Sequence, residues 1–240
     1  MKLDYAALIS PYPLYLQNVG HIRAPTLGEI WNPDITYQGY NSYLSMLLAT
    51  LKNQLSVFEW ITASEELQNN YCHLLDFFFE EDVIWDNANQ RFITYNSADQ
   101  NGAVIPVGMM TKECFADVCN IILQRCGCVT NDIDTIDSSK VKSKRALEIF
   151  NKIQNAKKKS KPKKDKAMEL PNLITAVAVK SNSINFTNIW NLTVFQLYEQ
   201  FRREYANVYF DIQKMSVAAY GNEKKTFKGT EWFHNESEEL

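Results

Sequence analysis

The residues best suited to chemistry are the cysteines. Cys114, Cys119, Cys126 and Cys128 form C-x4-C-x6-C-x-C, and clustered thiolates can hold zinc. This spacing matches no paired-ligand zinc pattern, and on a helix Cys119 and Cys126 share a face while Cys114 lies well round from Cys119. They read better as small buried hydrophobes. Cys72 stands beside His73, but adjacent helical residues point apart, and an activated thiol needs an imidazole within hydrogen-bond reach. The three histidines, His21, His73 and His234, sit in unrelated contexts, and no H-E-x-x-H, G-x-S-x-G or Walker loop occurs. Two acidic runs, Glu80-Glu81-Asp82 and Asp132, Asp134 and Asp137, invite a cation site, yet the second lacks the glycine and terminal glutamate of a calcium loop. These patterns point to a non-enzymatic protein with no metal and no cofactor.

The remaining chemical feature is charge. From Lys152 to Lys166 eight lysines meet one aspartate, a local +7 in a chain of net −3, so the rest carries −10. Lys157, Lys158, Lys159, Lys161, Lys163 and Lys164 could neutralise phosphates. The strap has no arginine or aromatic residue for base reading or stacking. It reads as a solvated linker; non-specific polyanion contact and docking to an acidic protein surface are the alternatives.

The elements that must carry these residues are mostly helical. Few glycines and prolines, with 45% hydrophobic residues, favour long helices around a real core. Residues 1–30 look irregular apart from a capping box, Thr26 with Glu29. A helix is expected from about 34 to 53, burying Tyr40, Tyr43, Leu44, Leu47, Leu48 and Leu51. Ser64 caps another, with Leu67, Tyr71, Leu74, Leu75 and Phe78 on its inner face. Residues 83–95 read as a hairpin, and Ala103–Val107 could add an edge strand containing Pro106. Helices return at Thr111, with Phe115, Val118, Cys119, Ile122 and Cys126 on one face, and over 143–153, with Ala146, Ile149, Phe150 and Ile153. An apolar helix carrying Pro171 in its first turn is expected after the strap.

The stretch 191–215 is the most fully specified. Thr193 and Gln196 stand as a capping box, with Leu192 and Leu197 as a hydrophobic staple. Val194, Tyr198, Phe201, Tyr205, Val208, Ile212 and Met215 then alternate spacings of four and three, a heptad seam. A core-facing helix is expected, with Phe201 and Tyr205 buried; a seam open to a partner helix is the alternative. The assembly surface is then placed on the helix over 34–53 or on the meander edge.

The fold expected is mainly α, a bundle of six or seven helices with a small antiparallel β-meander. Its parts are 1–108, helical with the meander; 109–219, helical with the linker 152–166; and a charged tail, 220–240. Residues 1–16, with Asp4 and two prolines, are not expected to act as a signal peptide, and no apolar run reaches membrane-spanning length. Five cysteines, an odd count, suit a reducing cytoplasm.

The order of a helix such as "MTKECFADVCNIIL", a Lys-rich strap, a short apolar helix, a capped "NLTVFQLYEQFRRE" and a charged tail resembles the tail-assembly chaperone family of phages and prophages of Gram-positive hosts. The likeness runs from Thr111 to about Met215; the meander and the long Tyr/Leu helix are not features of that family. It implies a non-enzymatic protein in the infected host's cytoplasm that binds the tape-measure protein and tail tube subunits, with self-association as a further contact. Another virion component, or a nucleic-acid-associated phage protein using the strap, is the alternative.

Overall fold

The computed structural model describes residues 1–52, 54–96, 105–128, 168–222, 227–230 and 232. The helix expected over 143–153, the carboxylates of 132–137 and the whole Lys strap lie outside them. The described chain is mainly helical, with two small antiparallel sheets. It has eight α-helices among these residues, two of them single turns, against the six or seven expected.

Its start is more ordered than the sequence reading allowed. Asp4 caps a short helix, α1 (Tyr5–Ile9), by accepting from Ala7 N. A hairpin follows, β1 (Leu14–Leu16) with β2 (Gly20–Ile22). Its turn places Asn18 at φ 61°, a left-handed conformation that asparagine tolerates. Three-residue strands flanked by prolines carry too little alternation to be read from sequence.

Four helices form the next layer. Both halves of the Thr26–Glu29 capping box are present at the start of α2 (Leu27–Ile30). Then come α3 (Thr36–Lys52), α4 (Gln54–Ala63) and α5 (Glu65–Phe78). The inner faces expected for α3 and α5 are the observed ones: Tyr40, Leu47, Leu51, Tyr71, Leu74, Leu75 and Phe78 are buried, while Tyr43, Leu44, Leu48 and Leu67 pack on them half-buried. The helix α4, which the sequence reading passed over, buries Val57, Phe58 and Ile61.

The meander is β3 (Asp82–Asp86), β4 (Arg91–Asn96) and β5 (Ile105–Met110), in that order. β5 is the edge expected for Pro106; residues 103 and 104 lie outside the described ones. Asp86 shapes the first turn by accepting from the Ala88 and Asn89 amides. Inner-face Val83, Phe92, Thr94 and Met110 are buried. Phe92 stacks on Phe115 of α6 (Lys112–Arg125), joining sheet to helix layer. Gly108 is required by close approach, because a Cβ there would lie 2.6 Å from the Asn18 carbonyl carbon and oxygen in the β1–β2 turn.

All five expected inner residues of α6 are buried. The helix ends in a Schellman motif: Cys128 N donates to Leu123 O and Gly127 N to Gln124 O, with Gly127 at φ 72°. Its last residue, Arg125, is 1% exposed. Its Nη1 donates to Ala7 O at 3.0 Å, and its Nη2 to Ser10 O at 3.2 Å and Tyr12 O at 2.8 Å. One cation thereby satisfies the carbonyls where α1 ends.

The last layer is α7 (Leu170–Lys180), with proline in its first turn as expected, a 3-10 turn (Ile189–Asn191), and α8 (Val194–Tyr220). Thr26 and Thr193 form an isolated antiparallel bridge, and Leu27 N donates to Leu192 O. The two capping boxes therefore sit back to back. A single apolar cluster extends from Leu3 to Leu197 and takes in residues on both sides of Gly108.

Candidate interaction surfaces

The helix α8 starts as its sequence dictates. Thr193 Oγ1 accepts from Gln196 N at 3.2 Å, and Gln196 Oε1 accepts from Thr193 N at 3.0 Å. Leu197 is fully buried and Leu192 packs beside the core. Glu199, also buried, takes hydrogen bonds from Tyr5 Oη and Arg203 Nε, both at 2.8 Å. Gln196 Nε2 donates to Ile9 O, so α1 and α8 are tied twice.

Beyond that anchor the seam leaves the core. Val194 is buried, and Tyr198 and Phe201 are half-buried, but Tyr205 is 70% exposed. Val208, Ile212 and Met215 are exposed as well. The expected burial of Tyr205 is thus corrected, and the seam's second half is open. Length is the reason. The 27 residues of α8 span about 40 Å, whereas the 11 of α7 beside it span about 16 Å. Periodicity marks a face without saying how far along the helix a neighbour extends.

The opposite face of α8 is partly covered by the chain that follows it. Gly221, at φ 81°, ends the helix. The Asn222 side chain donates to Phe227 O and accepts from Phe227 N, which sets the Phe227 ring 5.2 Å from Phe210. Phe210 lies two residues from both Val208 and Ile212, about 200° round the helix. The residues read as a plain charged tail therefore begin with an aromatic clasp. Trp232 also lines a cavity with Val208 and Phe210.

A second apolar surface is the outer face of the meander. Ile84 pairs with Ile93, and Ile93 with Met109, in a row across three strands. Ile84 and Met109 are exposed and Ile93 between them is half-buried. The helix over 34–53, the other place expected for an assembly surface, buries Tyr40, Leu47 and Leu51 of its Tyr/Leu face and keeps Tyr43, Leu44 and Leu48 half-buried.

Several of the groups singled out for chemistry are buried. Burial pushes the Cys119 thiol far up, Cys126 to about 12 and Cys72 to about 11, so these thiols are neutral near pH 7. Glu81 turns inward, accepting from His21 N at 2.9 Å and meeting His21 Nδ1 at 2.6 Å. Glu80 and Asp82 are exposed, so the acidic run does not converge on one point. Among the described residues no three His, Cys, Asp or Glu side chains are placed to hold a metal ion, and no helix is long and apolar enough to cross a membrane.

The described residues thus define a mainly helical protein whose distinctive features are apolar surfaces. Residues 157–237, which include α7, α8 and the clasp, match the family model described as the YomV second domain, a match that suggests a phage-associated protein family. No curated protein and no solved structure matches the chain.

Proposed function

We propose that this chain is a non-enzymatic tailed-phage assembly protein, a tail-assembly chaperone that binds the tape-measure protein and tail tube subunits in the infected cell. The observation that carries the reading is the apolar Ile84–Ile93–Met109 row, exposed at both of its ends. It presents a flat apolar surface of the kind that marks a protein-binding site. An amphipathic client segment could lay its apolar side there, with no bond made or broken. The phage association suggested for 157–237 and the resemblance from Thr111 to Met215 support the same role.

Co-expression with the tape-measure and tail tube proteins of the same genome tests it. The clients should co-purify with the parent chain. An Ile84→Lys, Met109→Lys variant should lose them while keeping its melting temperature, since both side chains are exposed. Failure of the parent to retain either client, or retention unchanged by the double substitution, would sink this reading.

A further inference from the structure

We propose that the exposed end of α8, Tyr205 to Tyr220, pairs two copies of this chain antiparallel across a two-fold axis near Phe210. The inference goes beyond the chaperone reading and does not rest on it, because the client face lies on the meander.

Area is the first argument. Tyr205, Val208, Tyr209, Ile212, Met215 and Tyr220 are 70%, 38%, 55%, 55%, 64% and 85% exposed. Together they offer on the order of 700 Å² of side-chain surface, close to the ~800 Å² per partner of a standard interface. That exceeds the 300–600 Å² of the largest patch on a typical monomer.

Shape is the second argument. A straight seam with alternating spacings of three and four is complementary to another helix. In a parallel pair, Tyr205 would meet its own copy, a bulky match in a two-stranded seam. An antiparallel pair instead sets Tyr205 against Met215 of the second copy and Val208 against Ile212. A large rigid ring then faces a flexible side chain, and two β-branched residues face each other. The symmetry closes the interface, so both seams are covered and no filament grows.

Charge permits the pairing. Arg202, Glu204, Asp211 and Lys214 flank the seam and sum to zero. Asp211, which the axis brings near its own copy, already has Lys214 Nζ 3.8 Å away. The clasp of Phe227 on Phe210 fills the far face of the helix, and although Trp232 reaches a cavity edged by Val208, the side chains of Tyr205, Tyr209, Ile212 and Met215 stay exposed for the second copy.

Sedimentation equilibrium on the full chain tests the proposal at concentrations up to about 100 μM, well above a micromolar Kd. The parent should reach twice the 27.7 kDa chain mass, and Ile212→Glu should stay at one chain mass with an unchanged circular dichroism spectrum. Tyr209→Cys should form a disulfide-linked dimer on mild oxidation, because only the antiparallel arrangement brings residue 209 beside its own copy. A parent that stays monomeric, an Ile212→Glu dimer, or a Tyr209→Cys chain that does not cross-link overturns the proposal. Client co-purification with Ile212→Glu is the separate arm. A monomeric parent that still retains its clients refutes the pairing alone, and a dimer without clients refutes the chaperone reading alone.

Discussion

Replacing Arg125 with Met removes the buried guanidinium while keeping a long apolar stem. Three carbonyls, those of Ala7, Ser10 and Tyr12, lose their donor together. Hydrogen bonds to a charged group contribute about 1.5–3 kcal/mol each, so the gross loss is roughly 4–9 kcal/mol. Relief from burying the cation offsets several kcal/mol of that. Burial also lowers the Arg125 pKa, the sign of a charge held against its desolvation cost. We therefore expect Arg125→Met to cost about 3 kcal/mol, the lost hydrogen bonds less the relief of desolvation. For a chain of this size that is a fall of roughly 6–12 °C in Tm. Urea unfolding should show a lower midpoint at unchanged slope, and limited proteolysis should cut first within residues 1–13. Arg125→Lys should recover less than half of the loss, since one ammonium cannot reproduce the planar fork. A Met variant as stable as the parent would show that the three carbonyls need no donor and that the cation's burial was a net cost.

Other substitutions probe the remaining elements. Leu197→Ala, at a fully buried site, should cost about 2–5 kcal/mol. Tyr205→Ala, eight residues further along the same helix, should stay within about 0.5 kcal/mol when chemical denaturation is run at a dilution that keeps the chain monomeric. Gly108→Ala should cost about 1–3 kcal/mol or more, because its Cβ meets backbone that cannot rotate away; thermal melts read this directly. Burial raises the Glu29 carboxyl, but the Thr26 amide and Arg23 outweigh it and hold the group below its ordinary 4.5. A depressed carboxylate contributes stability above the unfolded pKa and loses it as pH falls through the folded one. The parent should therefore exceed Glu29→Gln in stability at pH 6–7, and the gap should close below about pH 4 in melts run across that range.

What was legible in the sequence is what local physics decides. The Thr26 and Thr193 boxes, the Ser64 cap and the inner faces of α3, α5 and α6 follow from side chains acting within one turn or one face. So does the meander, whose strands alternate around turn residues. What escaped depends on distant neighbours. Arg125 reads as an ordinary helix-ending cation until α1 folds against it. Glu81 reads as one of three surface carboxylates until His21 arrives from β2. The Phe227 clasp hid in a polar tail because one aromatic residue gives no period. The helix α4 escaped although Val57, Phe58 and Ile61 keep helical spacing, because no glycine or proline in the sequence marks it off from α3. The candidate surfaces divide the same way. The α8 seam was plain from its spacing, while the point at which it leaves the core was set by the length of α7.

The tie between α1 and α8 has a consequence for how the chain is made. Tyr5 and Glu199 are 194 residues apart in sequence, and Gln196 and Ile9 are 187 apart. Their contacts cannot form until the start of α8 has followed α1 out of the ribosome. At about 5–20 residues per second, the amino-terminal segment waits roughly 10–40 s for its partner helix. During that interval the Phe195 and Glu199 surfaces that will receive Tyr5 do not yet exist, and the first helix is too short to persist alone. Synthesis itself therefore acts as a timer: α1 can rest on Arg125 of α6 early, but its contacts are complete only once α8 is made, and a message truncated upstream of Thr193 leaves it the α6 contacts alone.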